Sequence, residues 1–294
     1  MVVLLFAISL AVAVLGNIIS RYYAGKIPAA VFPLFLYNAV GAAVAIAVFL
    51  VWGGVGRFSE FSVLLGIVFG LAVNIQAVAT LIALRNGPMS FTVVIVSFST
   101  VLTALSGALF WNEQLKITQI VGIALMALSF VFAVKSKRGE NGASAKWLIF
   151  CAIAFVCCGS VGLMQKIHQT SVHKDEINAF LISANLTSAV VSVLLTLWFK
   201  KRESAVLPFR SYNRGALCML FTVVAFGGGC VAVNHKLNLY LSGIVDSAVF
   251  FPVVNGGGLI LATLAALIIY REKLTKRQWC GITVGILSVI CLCL

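Results

Sequence analysis

Trp111-Asn-Glu-Gln-Leu-Lys-Ile-Thr-Gln-Ile-Val-Gly122 and Tyr270-Arg-Glu-Lys-Leu-Thr-Lys-Arg-Gln-Trp-Cys-Gly281 follow one pattern at two places in the chain. A constant shift of 159 residues lays Glu113 on Glu272, Leu115 on Leu274, Gln119 on Gln278 and Gly122 on Gly281. The same shift carries Phe91 onto Phe250, Leu102 onto Leu261 and Ser129 onto Ser288. Apolar residues coincide easily in a greasy sequence; a Glu, a Gln and a Gly coinciding together mark an internal repeat.

The material between the two copies fixes what is repeated. Of 294 residues, 62% are hydrophobic and only 10% charged, and the mean hydropathy is +1.10, well outside the range of water-soluble domains. About 20 apolar residues in helix cross the hydrocarbon of a bilayer. The chain offers ten such runs, roughly Val2–Ser20, Val31–Trp52, Ser62–Leu84, Pro88–Trp111, Ile117–Val134, Trp147–Gln165, Ile177–Phe199, Gly215–Leu241, Ser247–Tyr270 and Trp279–Leu294. Barrel strands would alternate apolar and polar residues, which these runs do not. The expected fold is therefore an all-α integral membrane protein of ten transmembrane helices. Residues 1–134 form a first five-helix repeat, 135–146 a basic connecting loop and 147–294 a second repeat. Five is odd, so the second repeat sits upside down relative to the first.

The first run has no basic residue before it, and Arg21 follows it, so it reads as a retained span rather than a cleaved signal. The net charge of +13 comes from Lys and Arg at the ends of apolar runs, where headgroups read it; no nucleic-acid partner is expected. The eight cysteines lie inside apolar runs without ligand spacing, so they read as packing residues, with no metal and no cofactor.

Glu-x-Leu-x-x-x-Gln-x-x-Gly closing each half, at Glu113–Gly122 and Glu272–Gly281, resembles the hallmark of the drug/metabolite transporter superfamily, in particular its EamA-like ten-span branch. The resemblance implies a secondary transporter of small metabolites, an exporter of amino acids or drugs, in the plasma (inner) membrane, working by alternating access around a central cavity. A carrier or flippase for anionic or lipid-linked sugars is the alternative, and a non-transporting receptor or scaffold the alternative of another class. Enzymatic activity is not expected, because the intramembrane polar residues form no nucleophile, acid/base or metal constellation. The partners expected are a small-molecule solute and membrane lipids, with the chain monomeric or homodimeric.

Taken as residues, Glu113 and Glu272 stand just before a helix, where a carboxylate at the water boundary caps the positive helix end. Gly122 and Gly281, with Gly66/Gly70, fit close helix contacts. Polar side chains within the spans are costly in hydrocarbon and so face protein or a watery path. Those read as substrate-binding are Asn17, Asn74, Gln76, Ser99, Asn234, His235, Lys236 and Asn255; Asn38, Ser97, Thr100, Ser160 and Asn185 are further intramembrane polar positions. For each, a helix-to-helix hydrogen bond is the competing reading. Lys236 is the sharpest: it faces a cavity and meets an anion or Asp246, or it snorkels to the headgroups. Gly227–Gly229 and Gly256–Gly258, the latter after Pro252, suggest bent or broken helices, or close packing. No span carries a central carboxylate, so the membrane glutamate of the four-span relatives has no counterpart. Facilitated or exchange transport follows, or coupling through His235 or Asp246. Lys and Arg crowd the odd-numbered loops, which places both termini outside; the family resemblance implies termini in the cytoplasm.

Overall fold

The computed structural model describes residues 1–26, 32–54, 56–86, 92, 95–133, 145–203, 214–269 and 275–294. Glu272 and Leu274 of the second motif, and nearly all of the 135–146 loop, lie outside the described residues. Among the described residues the regular structure is all helical. In chain order the helices are α1 (Val2–Lys26), α2 (Phe32–Gly53), α3 (Glu60–Asn86), α4 (Ser99–Phe110), α5 (Ile117–Ala133), α6 (Ala145–Thr170), α7 (Ile177–Glu203), α8 (Arg214–Ile244), α9 (Ser247–Phe251), a π-helical turn (Pro252–Gly257), α10 (Gly258–Ile269) and α11 (Lys276–Cys293). Among the described residues six helices are long and apolar enough to cross a membrane: Val2–Ser20, Phe32–Gly53, Glu60–Ala83, Ala145–Thr170, Ile177–Lys201 and Lys276–Cys293. Shorter apolar helices occupy Ile95–Phe110, Ile117–Phe132 and Ser247–Ala262.

Several helices overrun the apolar stretches, because backbone hydrogen bonding continues after hydropathy falls. α6 continues to Thr170 and α8 to Ile244, so Lys166, one residue beyond the expected sixth run, is helical, and Lys236 lies well inside its helix. Gly227–Gly229 does not break α8. Gly227 and Gly228 serve contact instead: a Cβ on Gly228 would lie 2.8 Å from the Gly41 carbonyl oxygen of α2, whereas one on Gly229 would meet nothing within 4 Å. After Pro252, where the ring removes an amide donor, the backbone does depart from α geometry, and the π turn results.

The chain folds into two compact units. Unit 1 takes residues 3–74 and 172–238, and unit 2 residues 75–171 and 239–294; each draws helices from both halves of the sequence. In unit 1, α1 and α8 run antiparallel, with Ser9 against Asn238 and Asn234, and Tyr23 against Val224. α2 and α7 also run antiparallel: Phe35 stacks on Phe199, and Asn178 donates to the Phe49 carbonyl. α3 and α7 run parallel. Gly66 and Gly70 would place a Cβ 2.5 Å from the Phe180 carbonyl oxygen and against that of Ala184, so only glycine allows this approach.

In unit 2, α4 and α6 run parallel, from Thr92 against Trp147 (2.8 Å) through Thr103 against Gly162 to Trp111 against Thr170 (3.0 Å). α4 and α9 run antiparallel, with Thr100 near Asn255 and Glu113 at Ser247. α5 and α11 run antiparallel around a reciprocal exchange. Ser129 Oγ donates to the Gly281 carbonyl (2.8 Å) and Ser288 Oγ to the Gly122 carbonyl (2.6 Å). Both serines and both glycines are 159 residues apart. Leu115 of the motif packs on the cluster of Ala104, Ile123, Met126, Phe130, Ala248 and Leu292.

The Gln of the motif has one local task in both halves. Gln119 Oε1 accepts from the Lys116 amide at 3.1 Å, and Gln278 Oε1 from the Thr275 amide at 3.0 Å. Each side chain reaches back three residues to satisfy an amide that the first helical turn leaves free; around Thr275 this is a full capping box.

Candidate functional site

Unit 1 holds a cavity of about 270 Å³ between α1, α2 and α8. Its floor and sides are Val12, Ala13, Gly16, Cys230 and Val231, and its polar groups are Asn17, Ser20, Tyr37, Asn38, Asn234 and His235. Asn17 and Asn38 are exposed, which hydrocarbon would penalise and a watery cavity does not. Gly16 leaves room: the nearest atom to a Cβ there is 3.9 Å away. Tyr37 lies against Tyr23, ring centroids 4.8 Å apart.

Beside the cavity, Asn234 is held from three sides. Its amide nitrogen donates to the Ser9 carbonyl (3.0 Å) and Ser9 Oγ (3.2 Å), and its oxygen accepts from Asn238 Nδ2 (3.0 Å). Ser9 Oγ donates in turn to Asn238 Oδ1 at 2.6 Å, closing a ring of bonds between α1 and α8. His235, next in sequence, packs edge-on to Phe69 with 6.4 Å between ring centroids. Its Nδ1 is buried and has no hydrogen-bond partner, an omission that costs about 1–3 kcal/mol for a buried polar group. The arrangement thus offers several donors and acceptors, with one buried nitrogen left unmatched.

The remaining sequence candidates fall elsewhere. Lys236 is not among the residues lining this cavity; its Nζ lies 4.6 Å from the ring centre of Trp52 at the end of α2, the geometry of a cation–π contact. Asn74 is buried between α3 and α7, donating to the Gly70 carbonyl and Ser188 Oγ and accepting from Ser192 Oγ. Gln76 is half-buried on α3. Ser99 and Asn255 belong to unit 2: Ser99 is buried, and Asn255 Nδ2 donates to Thr100 Oγ1 at 3.2 Å, across the π turn. Of the eight residues, three (Asn17, Asn234 and His235) share the unit 1 cavity. Tyr37 and Ser20 were not singled out by sequence, although Tyr37 adjoins Asn38 and Ser20 stands one helical turn from Asn17.

Unit 2 holds a second polar cluster that the sequence reading missed. Lys166 and Glu113 form an ion pair at 2.8 Å with side chains only 6% and 12% exposed. Lys166 Nζ also donates to the Val245 carbonyl at 3.1 Å. Glu113 Oε2 accepts from the Ser247 amide at 2.7 Å, and Oε1 from the Ser247 hydroxyl at 3.3 Å. The expectation that Glu113 caps a helix is right in kind and wrong in place. It caps α9 rather than the following α5, with its side chain only 12% exposed. Asn112 makes this possible: its left-handed backbone (φ 52°) ends α4 so that the Glu113 amide returns to the Gly107 carbonyl. Gly107 must be glycine, since a Cβ there would overlap the Glu113 carboxylate.

No protein-family model matches the chain. A Listeria monocytogenes protein named "Putative sugar uptake protein" is 24% identical over 181 residues, 61% of this chain and 58% of its own length. The matched stretch thus spans less than two thirds of that relative. A solved crystal structure of another protein superposes with a TM-score of 0.75 at 18% identity, over 99% of this chain and 95% of the other; at that identity the likeness is one of fold.

Proposed function

We propose that this chain is a secondary transporter of small polar metabolites, of the ten-span drug/metabolite transporter type, working by alternating access in the plasma (inner) membrane. The observation that carries the reading is the cavity walled by α1, α2 and α8, which gathers amides, hydroxyls and an imidazole among helices otherwise built for lipid.

Helix directions support ten crossings. If α4 and the broken α9–α10 segment each cross once, α3 and α7 are the third and seventh crossings and run parallel. By the same count α4 and α6, the fourth and sixth, run parallel, whereas α1/α8, α2/α7, α4/α9 and α5/α11 oppose one another. Each of these pairs has the direction the count demands. The exchange between Ser129–Gly281 and Ser288–Gly122 supports inverted repeats, because a two-fold relation between α5 and α11 maps one bond onto the other. A helix interrupted by a π turn at Pro252–Gly257 is the kind of element transporters bend.

The cargo reading favours a sugar: the relative named for sugar uptake supports it, and so does a cavity whose polar groups are amides, hydroxyls and one imidazole, with no carboxylate, ammonium or guanidinium among the described lining residues. The carrier of anionic or lipid-linked sugars draws no support from Lys236, which rests on Trp52. Counterflow in liposomes holding the purified protein tests the proposal. Radiolabelled neutral sugars, amino acids and organic anions are offered with the same solute inside. Accelerated exchange of one class is the expected result; no exchange of any class leaves the receptor or scaffold reading.

A further inference from the structure

We propose that the α1/α2/α8 cavity is a binding site for one neutral, hydroxyl-bearing ring, a monosaccharide or cyclic polyol, gripped by Asn17 and Asn38. The proposal deepens the transport reading and rests on it.

A sugar hydroxyl donates and accepts at once, and a carboxamide does the same through two different atoms. Asn17 from α1 and Asn38 from α2 present two such groups to one space, and neither has a bonded position to defend in the way that Asn234 and Asn74 do. Tyr37, packed against Tyr23, adds a phenol ring to the same lining. The ring of bonds through Ser9, Asn234 and Asn238 uses up the amide that precedes His235 and fixes that turn of α8. His235 therefore lines the cavity from a rigid support.

Size limits the choice. Pockets for drug-sized ligands run to roughly 300–1,000 Å³, and 270 Å³ falls just below that range. That volume matches one ring more closely than a disaccharide or a lipid-linked headgroup. Charge points the same way: among the described residues no Lys, Arg, Asp or Glu lines the cavity, and the nearest cation along α8, Lys236, is engaged by Trp52.

Equilibrium binding to the full chain in detergent, read by calorimetry, tests the assignment with D-glucose, D-ribose and myo-inositol as neutral probes. Gluconate, glucosamine and maltose serve as the anionic, cationic and oversized counterparts. At least one neutral probe is expected to bind, with the three counterparts weaker by about tenfold or more. Asn17→Ala and Asn38→Ala should each weaken the neutral probe about tenfold. Gly16→Leu, which removes no polar group and fills the space beside Cys230, should abolish binding. Unliganded melting temperatures near that of the parent identify the variants that fold, and Asn17→Asp and Asn38→Asp repeat the test if the alanine forms do not. The site assignment is overturned if gluconate or glucosamine binds as tightly as the best neutral probe, if no neutral probe binds, or if folded Asn17 and Asn38 variants bind normally. Flux in liposomes separates the two proposals: binding without flux keeps the site and removes transport, whereas flux that survives both substitutions keeps transport and removes the site.

Discussion

The two units treat polar groups in opposite ways. Unit 1 leaves amides facing a cavity and keeps a buried imidazole nitrogen unmatched, with nothing charged among the described residues that line the space. Unit 2 buries a full ion pair and matches it: Lys166 meets Glu113 and the Val245 carbonyl, and Glu113 meets both the amide and the hydroxyl of Ser247. An unsatisfied neutral site is a place for a ligand; a satisfied charged one is a fastening. The pair holds the end of α4, the last turn of α6 and the first turn of α9 together, so its worth lies in which segments it joins rather than in net stabilisation, since desolvation offsets much of the attraction.

The contrast is broken most directly by removing one charge. Lys166→Ala leaves the Glu113 carboxylate buried and unpaired, and a loss of about 3–5 kcal/mol is expected in denaturant melts of the detergent-solubilised protein. The double variant Lys166→Met with Glu113→Gln should recover most of it. A single substitution no worse than the double would mean that the pair is solvated and unit 2 is not fastened. Next in size is Gly70→Ala, which drives a methyl into the Ala184 carbonyl and separates α3 from α7; about 1–3 kcal/mol is expected from the same melts. Asn17→Ala, by contrast, should change stability by under about 0.5 kcal/mol while it weakens solute binding, and a large stability loss would make that residue glue rather than ligand contact.

Ser129→Ala and Ser288→Ala sharpen the question of symmetry. Each removes one half of the exchange between α5 and α11, and each should cost about 0.6 kcal/mol, the usual worth of such a bond between membrane helices. Clearly unequal losses would argue that the halves are not equivalent there. The smallest effect lies outside the spans. Ser59 donates through its hydroxyl and its amide to Glu176, and these bonds lower the Glu176 pKa from 4.5 to about 2. A depressed carboxylate value means that the stabilisation is complete above about 4.5 and lost as pH falls towards 2. Ser59→Ala should flatten the fall of melting temperature across that window and leave neutral pH unchanged.

Much of the fold was legible because hydrocarbon imposes a simple rule on sequence: helical runs had to be apolar, and they are. The motif was legible too, but its reasons were not. Gln119 and Gln278 act on their own helix starts, which spacing of three residues encodes. Glu113 acts across the fold on Ser247, and no local pattern announces a partner 134 residues away. Lys166 fell one residue beyond the expected sixth run for a related reason. Hydropathy treats a charge as the end of a span, whereas a paired charge at a helix end can be buried. At the candidate site, Asn17, Asn234 and His235 were found because polarity within a span is conspicuous. Tyr37 was missed because a tyrosine in such a span looks like any other aromatic residue.

The exchange between Ser129–Gly281 and Ser288–Gly122 reads the same from either side. A contact of that kind needs only one surface to specify it: a serine seven residues beyond a glycine on a helix that meets its own likeness head to tail. A chain of half this length, carrying Gly122 and Ser129 alone, would present both members of the pair to a second copy of itself. The join between the halves therefore requires no invention beyond what one half already contains. Any change that suits one side of it without its counterpart 159 residues away makes the two faces less interchangeable.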